Sequence, residues 1–251
     1  MGDLNQDCIR SKSSLERSPH GQAKDGILSI EFAPDGERSR KVVGRSNSRP
    51  TGRYPSYRMK RMIEWDSPYE LYAYRLLDFD PEVLEFREQP CVIHYCLNGL
   101  IQRHYPDSLV RTRTGKTLLE VKTRQDAFSP EILRRTELMT QLLPTHGYQY
   151  AIVFAEDLKR EPRLRNCRLV LGRGRSPMTL DEREFARKLF DAASFLTWGD
   201  LKSGHFSPIG IDHCCRLVLE GTLRINIDEQ IDADTRFVRA LPGELMGATI
   251  V

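Results

Sequence analysis

The chain has 251 residues, of which 39% are hydrophobic and 29% are charged. This composition is ordinary for a globular protein with a real core, and the absence of a long apolar run argues against membrane-spanning helices. The formal net charge of +3 says little about partners, so the distribution of the charges matters more.

Residues 1–62 are predicted to form a basic, partly flexible N-terminal arm with one early strand near 27–34. Nine Lys or Arg and no acidic residue lie between Arg38 and Arg61. Such a run is typical of an arm that follows an acidic polymer, for which nucleic acid is the usual candidate. A solvated linker is the alternative, and the run by itself does not decide between them.

Residues 63–160 show the pattern of a compact α/β core. Ser67 is a good N-cap and Pro68 suits the first helical position, while Asp80-Pro81 ends that helix. One or two strands follow, interrupted at Pro90, and Asn98-Gly99 is a hairpin signal. Further elements are predicted in this order: a strand at 100–112, a turn, a strand at 117–124, a helix from 130 with Leu133 in its apolar set, and a buried strand at 148–156. This order predicts a mixed sheet flanked by helices.

Residues 161–178 are predicted to be a basic connector, and 179–251 a smaller C-terminal unit. Thr179 and Glu182 have the spacing of a capping box at the start of a helix. A second helix at 211–220 and a terminal hairpin complete the unit. Helices followed by a hairpin suggest a winged-helix-like domain, a fold that binds DNA or protein.

Six cysteines are present, none in C-x-x-C spacing, so the sequence indicates no zinc site. His213-Cys214-Cys215 looks like a metal motif, but its apolar neighbours predict a buried helix. Reduced thiols without a signal peptide lead us to expect a cytoplasmic protein.

Asp107, Glu120 and Lys122 form the candidate constellation. In the strand at 117–123 alternate side chains share a face, so Glu120 and Lys122 emerge side by side. The turn at 112–116 brings the preceding strand alongside, and Asp107 can then lie near Glu120.

Two neighbouring carboxylates repel each other and require a cation, and hard oxygen ligands suit Mg²⁺. A magnesium ion lowers the pKa of bound water and stabilises the charge that develops in phosphodiester hydrolysis. Lys122 could orient or deprotonate that water. The alternative is a set of ordinary strand-edge salt bridges, in which Asp107 or Glu120 pairs with Lys122 or Arg111.

Glu70 has two interpretations. It stands three residues after Ser67, where a capping box places a carboxylate that reaches back to the Ser67 amide. It also shares a helical face with Ala73 and Leu77, from which it could reach the sheet as a further acid. The spacing alone favours the cap.

Taken together, the order of these features resembles the PD-(D/E)xK nuclease superfamily. Within it, residues 67–90 resemble the opening of the TnsA family, the endonuclease subunit of heteromeric transposases. The shared motifs are Ser67 to Glu70, Asp80-Pro81, Glu88-Gln89-Pro90, Pro106-Asp107 and Glu120-Val121-Lys122. The resemblance covers about residues 40–155, and more loosely the C-terminal unit. It implies a restriction-endonuclease-like core of mixed α/β class.

The resemblance implies a metal-dependent DNA endonuclease with Glu70, Asp107, Glu120 and Lys122 as catalytic residues. Asp107 and Glu120 would bind Mg²⁺, for which Mn²⁺ could substitute, with help from the Val121 carbonyl. Glu70 would complete the acidic site, in addition to any capping role. Lys122 would position the attacking water.

The resemblance also implies a place in DNA transposition, with hydrolysis of the non-transferred strand at each transposon end. The implied partners are double-stranded DNA, a DDE-type (TnsB-like) transposase subunit and an AAA+ ATPase (TnsC-like) regulator, with no membrane. The implied location is the bacterial nucleoid. Two alternatives remain: a stand-alone restriction- or repair-type endonuclease, and a non-catalytic DNA-binding assembly subunit.

Overall fold

The computed structural model describes residues 9–10, 24–34, 37–39 and 50–241. The fold is mixed α/β, as the sequence predicts, and is consistent with a PD-(D/E)xK-like nuclease. The helices are α1 (Pro68–Phe79), α2 (Arg124–Ala127), α3 (Pro130–Leu142), α4 (Ala155–Leu158), α5 (Arg163–Arg173), α6 (Leu180–Ala192), α7 (Trp198–Lys202) and α8 (Ile211–Leu219). No helix in the described segments combines the length and apolar character needed to cross a bilayer.

The central sheet carries the candidate constellation. Its strands, in spatial order, are β10 (Gln149–Phe154), β9 (Lys116–Lys122), β8 (Ser108–Thr112) and β5 (Val83–Glu88). Strand β9 is antiparallel to β8 and parallel to β10, with α3 in the connection between β9 and β10. The mixed sheet and its helical crossover are therefore as predicted.

A second sheet contains, in spatial order, β1 (Ile9–Arg10), β2 (Gly26–Phe32), β6 (Cys91–Leu97) and β7 (Leu100–His104). Asn98 and Gly99 join β6 to β7 with φ angles of 53° and 74°. Two successive positive φ angles fit the twist of a two-residue hairpin, which confirms that prediction.

The prediction of one continuous strand at 100–112 is wrong, because the structure divides these residues between the two sheets. Strand β7 ends at His104 and β8 begins at Ser108. Pro106 lies in the break, where it has no amide hydrogen to continue a ladder. Asp107 consequently stands at the point where the chain passes from one sheet to the other.

Part of the predicted arm belongs to the folded structure. Strands β3 (Gly52–Pro55) and β4 (Met62–Trp65) form an antiparallel hairpin whose Tyr54 and Ile63 are buried in the core. Residues 40–49 of the basic run lie outside the described residues.

Three arginines of the basic run bind groups of the fold. Arg38 pairs with Asp66 at 2.7 Å, and Arg61 pairs with Glu88 at 2.6 Å. The Arg58 guanidinium donates to main-chain carbonyls, including that of Asp80 at 2.7 Å. These three side chains stabilise the fold and are not available as a free DNA-tracking arm.

Asp78 fastens the β3–β4 hairpin to α1. This fully buried carboxylate accepts hydrogen bonds from the Tyr54 and Ser56 hydroxyls and from the amides of Tyr57 and Arg58, at 2.7 to 3.1 Å. Four donors on one buried carboxylate compensate its desolvation.

The helix ends follow local sequence signals, whereas the apolar positions predicted for α3 are only partly correct. The Ser67 hydroxyl accepts from the Glu70 amide, and Thr179 and Glu182 form the predicted capping box. The α3 apolar set is partly wrong, since Leu133 is 46% exposed and Met139 is the buried residue of that helix.

The predicted connector at 161–178 contains helix α5. Its Cys167 and Val170 are fully buried, and α5 packs against α1 and α8. One hydrophobic cluster runs from the β3–β4 hairpin through α5 to the C-terminal helices. The α/β core and the C-terminal unit therefore share one hydrophobic core.

The C-terminal unit contains a three-stranded antiparallel sheet. Its strands, in spatial order, are β11 (Phe195–Thr197), β13 (Arg236–Arg239) and β12 (Leu223–Arg224). The pairing of β12 with β13 confirms the terminal hairpin. Cys214 and Cys215 are buried in α8, as expected for core residues. The winged-helix assignment itself stays a prediction.

Candidate active site

Asp107 occupies the junction between the two sheets. Its main-chain carbonyl accepts from the Gln89 amide at 2.8 Å, and its Oδ2 accepts from the Val121 amide at 2.7 Å. The pairing of β8 with β9 ends at Ser108 and Leu119. Beyond this pair, the Val121 amide is bound by the Asp107 side chain and not by a main-chain carbonyl of β8. Within the described residues, Oδ1 of Asp107 receives no hydrogen bond.

Glu120 lies on β9, 3% exposed, among four polar side chains. Its carboxylate is 2.7 Å from Lys122 Nζ, 2.7 Å from an Arg135 nitrogen and 3.3 Å from His104 Nε2. The Tyr150 hydroxyl donates a short hydrogen bond to Glu120 Oε2. The Lys122 contact is one of the salt bridges that the alternative interpretation predicts, whereas Arg111 pairs with Glu85.

The Glu120 carboxylate is ionised despite its burial. Burial raises the pKa of Glu120, but His104, Lys122 and Arg135 together lower it to about 2. Burial also lowers the pKa of His104 to about 4, so His104 is neutral at pH 7. At neutral pH the countercharge therefore comes from Lys122 and Arg135.

Glu70 lies in the first turn of α1 and also faces this site. Its two carboxylate oxygens accept from the Asp66 amide and the Ser67 hydroxyl, each at 3.0 Å. The predicted hydrogen bond from the Ser67 amide to Glu70 is therefore replaced by one from the Asp66 amide. Burial raises the pKa of Glu70, although the Asp66 amide bond opposes the shift. Glu70 caps the helix, and its charge also acts on Asp107.

The acids are close enough to interact electrostatically. Burial, then the Glu70 carboxylate and, to a smaller extent, the Glu120 carboxylate together raise the pKa of Asp107 to about 7. Lys122 opposes this shift. The structure therefore brings all four sequence-predicted side chains, Glu70, Asp107, Glu120 and Lys122, into one electrostatic cluster.

The donor chemistry of the cluster suits a hard divalent cation, but the acids are not pre-assembled around one. Asp107 has an oxygen without a hydrogen bond and a pKa raised by its acidic neighbours, both of which a cation would relieve. The oxygens of Glu70 and Glu120 are held by protein donors. Across the described residues, no group of three or more His, Cys, Asp or Glu is arranged to hold a metal. Loading would require Glu120 to exchange Arg135 or Lys122 for the ion.

Sequence reasoning missed Arg135, Tyr150 and His104, which surround Glu120. The signal for Arg135 was its position on the buried face of α3, four residues before Met139. A charged residue at core spacing needs a buried partner of opposite charge. Tyr150 and His104 gave no comparable signal, because aromatic residues are common in buried strands.

The Glu88-Gln89-Pro90 motif binds the segments on which the site residues lie. Gln89 adopts a positive φ of 37°, and its side-chain amide donates to Asp66 at 2.8 Å. Its main-chain amide donates to the Asp107 carbonyl. Glu88 holds Arg61 in a bidentate pair. The motif thus ties the start of α1 to the sheet junction that carries Asp107.

Comparison with known families identifies the segment that contains the site. Residues 80–154 match the family model of the TnsA-like endonuclease N-terminal domain. The match spans β5 to β10 and includes Asp107, Glu120 and Lys122, while Glu70 precedes it. It supports a TnsA-like endonuclease, as the motifs predict. Comparison with curated proteins gave no match.

Proposed function

We propose, on the premise that residues 80–154 form a TnsA-like endonuclease segment, that the protein is the Mg²⁺-dependent endonuclease subunit of a heteromeric transposase. Its reaction would be hydrolysis of the non-transferred strand at transposon ends during cut-and-paste transposition. The observation that supports this most is the electrostatic cluster of Glu70, Asp107, Glu120 and Lys122 at the junction of two sheets.

Asp107 and Glu120 would hold Mg²⁺, or Mn²⁺ in its place, with the Val121 carbonyl and Glu70 as further oxygen donors. When bound, the ion would lower the pKa of a water molecule and neutralise charge on the phosphoryl oxygens. The Val121 amide fixes one oxygen of Asp107, which leaves the other for the cation.

Lys122 would hold the attacking water. Its ammonium group is 2.7 Å from Glu120, which fixes the side chain near the cluster. Arg135 balances the Glu120 charge in the metal-free protein, and once released it would face the phosphate as a bidentate donor. The buried pair of His104 and Tyr150 holds the other side of Glu120 and keeps water from it.

The partners follow from the same proposal. The substrate is double-stranded DNA at transposon ends, in the bacterial nucleoid. A DDE-type, TnsB-like subunit would cut and join the other strand, and a TnsC-like AAA+ ATPase would regulate the nuclease. The C-terminal unit after residue 179 is the surface proposed for these contacts, because it lies outside the matched segment.

The test is strand cleavage on a transposon-end duplex with Mg²⁺ and the partner transposase. Asp107→Ala and Lys122→Ala should each abolish nicking of the non-transferred strand, whereas exposed Lys159→Ala should nick like the parent. Equal cutting by the parent and Asp107→Ala would refute the catalytic assignment. Full cutting by the parent without the partner would favour a stand-alone nuclease instead.

A further inference from the structure

A small cavity outside the candidate active site is lined by three arginines. It has a volume of about 170 Å³ and lies between the β3–β4 hairpin, α1 and the C-terminal part of α5. Its lining residues are Tyr54, Arg75, Arg168, Leu171, Gly172 and Arg175. No acidic side chain is among them, so the cavity concentrates positive charge.

Two of these arginines lack a counter-ion in the part of the chain that the structure describes. There, neither Arg75 nor Arg168 donates a side-chain hydrogen bond or forms an ion pair. Nearby arginines differ, since Arg173 pairs with Asp212 at 2.8 Å and Arg183 pairs with Glu220 at 2.6 Å. Burial lowers the pKa of Arg75, and repulsion from Arg168 lowers it further. Like charges that lie close together are stabilised by an anion.

The shape of the cavity is fixed by other contacts. Arg175 donates to the Pro55 carbonyl at 2.7 Å, and the Tyr54 hydroxyl donates to buried Asp78. The Arg75 guanidinium lies 5.9 Å from the centre of the Tyr54 ring. A Cβ added at Gly172 would meet no atom within 4 Å, so this wall of the cavity is open. Arg175 is thus held in place beside an accessible space, with the Arg75 guanidinium near the Tyr54 ring.

We propose that this cavity binds a backbone phosphate of DNA. Guanidinium groups match phosphate oxygens with paired hydrogen bonds, and their charge is independent of pH. Arg75 follows Glu70 by five residues on α1, about 8 Å along the helix axis and about 140° around it. The cavity would therefore take a phosphate from a part of the duplex beyond the one at the candidate active site. The choice of DNA rests on the proposed function. The competing explanation is that Arg168 and Arg175 merely stabilise the C-terminal end of α5.

The experiment compares two double variants of the full chain. Arg75→Gln with Arg168→Gln removes the two unpaired cavity charges. Arg103→Gln with Lys159→Gln removes the same charge from exposed positions elsewhere. Binding of a labelled duplex is measured by fluorescence anisotropy without divalent metal, so that no strand is cut, over a series of salt concentrations. Thermal unfolding of each variant is recorded in parallel.

The cavity variant should bind DNA several-fold more weakly than the control variant. The slope of log affinity against log salt should fall by about 1, since each lost phosphate contact removes about 0.9. Replacing both arginines by lysine should recover most of the affinity and keeps the test valid if the glutamine variant unfolds. A cavity variant that binds like the control, with or without reduced thermal stability, overturns the proposal.

Two further measurements are needed. The first distinguishes DNA from a small anion as the ligand of the cavity, and the second distinguishes this proposal from the proposed nuclease function. Inorganic phosphate that raises the unfolding temperature of the parent, with DNA binding unaffected by the cavity variant, would assign the cavity to a small anion and overturn the DNA proposal. Cleavage by the parent is assayed separately. A parent that binds DNA through the cavity without cutting it would refute the nuclease function and leave the cavity assignment standing.

Discussion

Asp107→Asn should stabilise the metal-free protein at alkaline pH. In the folded chain the pKa of Asp107 is about 7, because of burial first and the Glu70 charge second, against an ordinary value of 3.8. Because the pKa of this acid is higher in the folded chain than in the unfolded one, its protonation stabilises the fold. This contribution is fully present below pH 3.8 and is lost as the pH rises through about 7. Because a tenfold change in a proton-binding constant corresponds to about 1.4 kcal/mol, the total loss is about 4 kcal/mol.

Asparagine is the matched replacement because its side-chain oxygen can still accept from the Val121 amide. About 2.5 kcal/mol of the loss falls between pH 5 and pH 8. At roughly 2 to 4 °C for each kcal/mol, the variant should gain about 5 to 10 °C in Tm relative to the parent over this range. Exposed Asp181→Asn should give no such pH-dependent gain.

The assay is thermal unfolding of parent and variant at pH 5 and pH 8, with and without Mg²⁺. Mg²⁺ at pH 8 should raise the Tm of the parent and leave that of the Asp107→Asn variant nearly unchanged. If the difference between the two proteins is the same at both pH values, the Asp107 carboxyl does not titrate near neutral pH. Its neighbours would then not repel it strongly enough to require a cation.

Arg135→Gln should lower the metal-free unfolding free energy by about 2 to 3 kcal/mol, because buried Glu120 loses one of its two charged partners; urea unfolding at pH 7 would measure this, and a neutral effect would contradict the pairing. Asp78→Ala leaves four buried donors unpaired, and in the same assay it should cost about 3 kcal/mol or more. Gly174→Ala would place a Cβ 2.7 Å from the Leu219 side chain, so α5 and α8 must separate at a cost of about 1 to 3 kcal/mol; parental stability would mean that these helices do not pack closely at Gly174.

The sequence determined the features that depend on local conformation. Ser67 and Pro68 start α1 because a hydroxyl cap and a fixed φ act within one turn. Asn98-Gly99 sets the β6–β7 hairpin, because it tolerates the positive φ angles of that turn. The alternation of side chains along β9 put Glu120 and Lys122 on one face.

The surroundings of those residues depend on contacts between distant parts of the chain. The division of 100–112 between two sheets, which lets the Asp107 carboxylate bind the Val121 amide, depends on pairing with distant strands. Arg135 and Tyr150 reach Glu120 from α3 and β10, over separations of 15 and 30 residues. Local periodicity carries no information about such contacts, because a buried charge selects its partner in space and not along the chain.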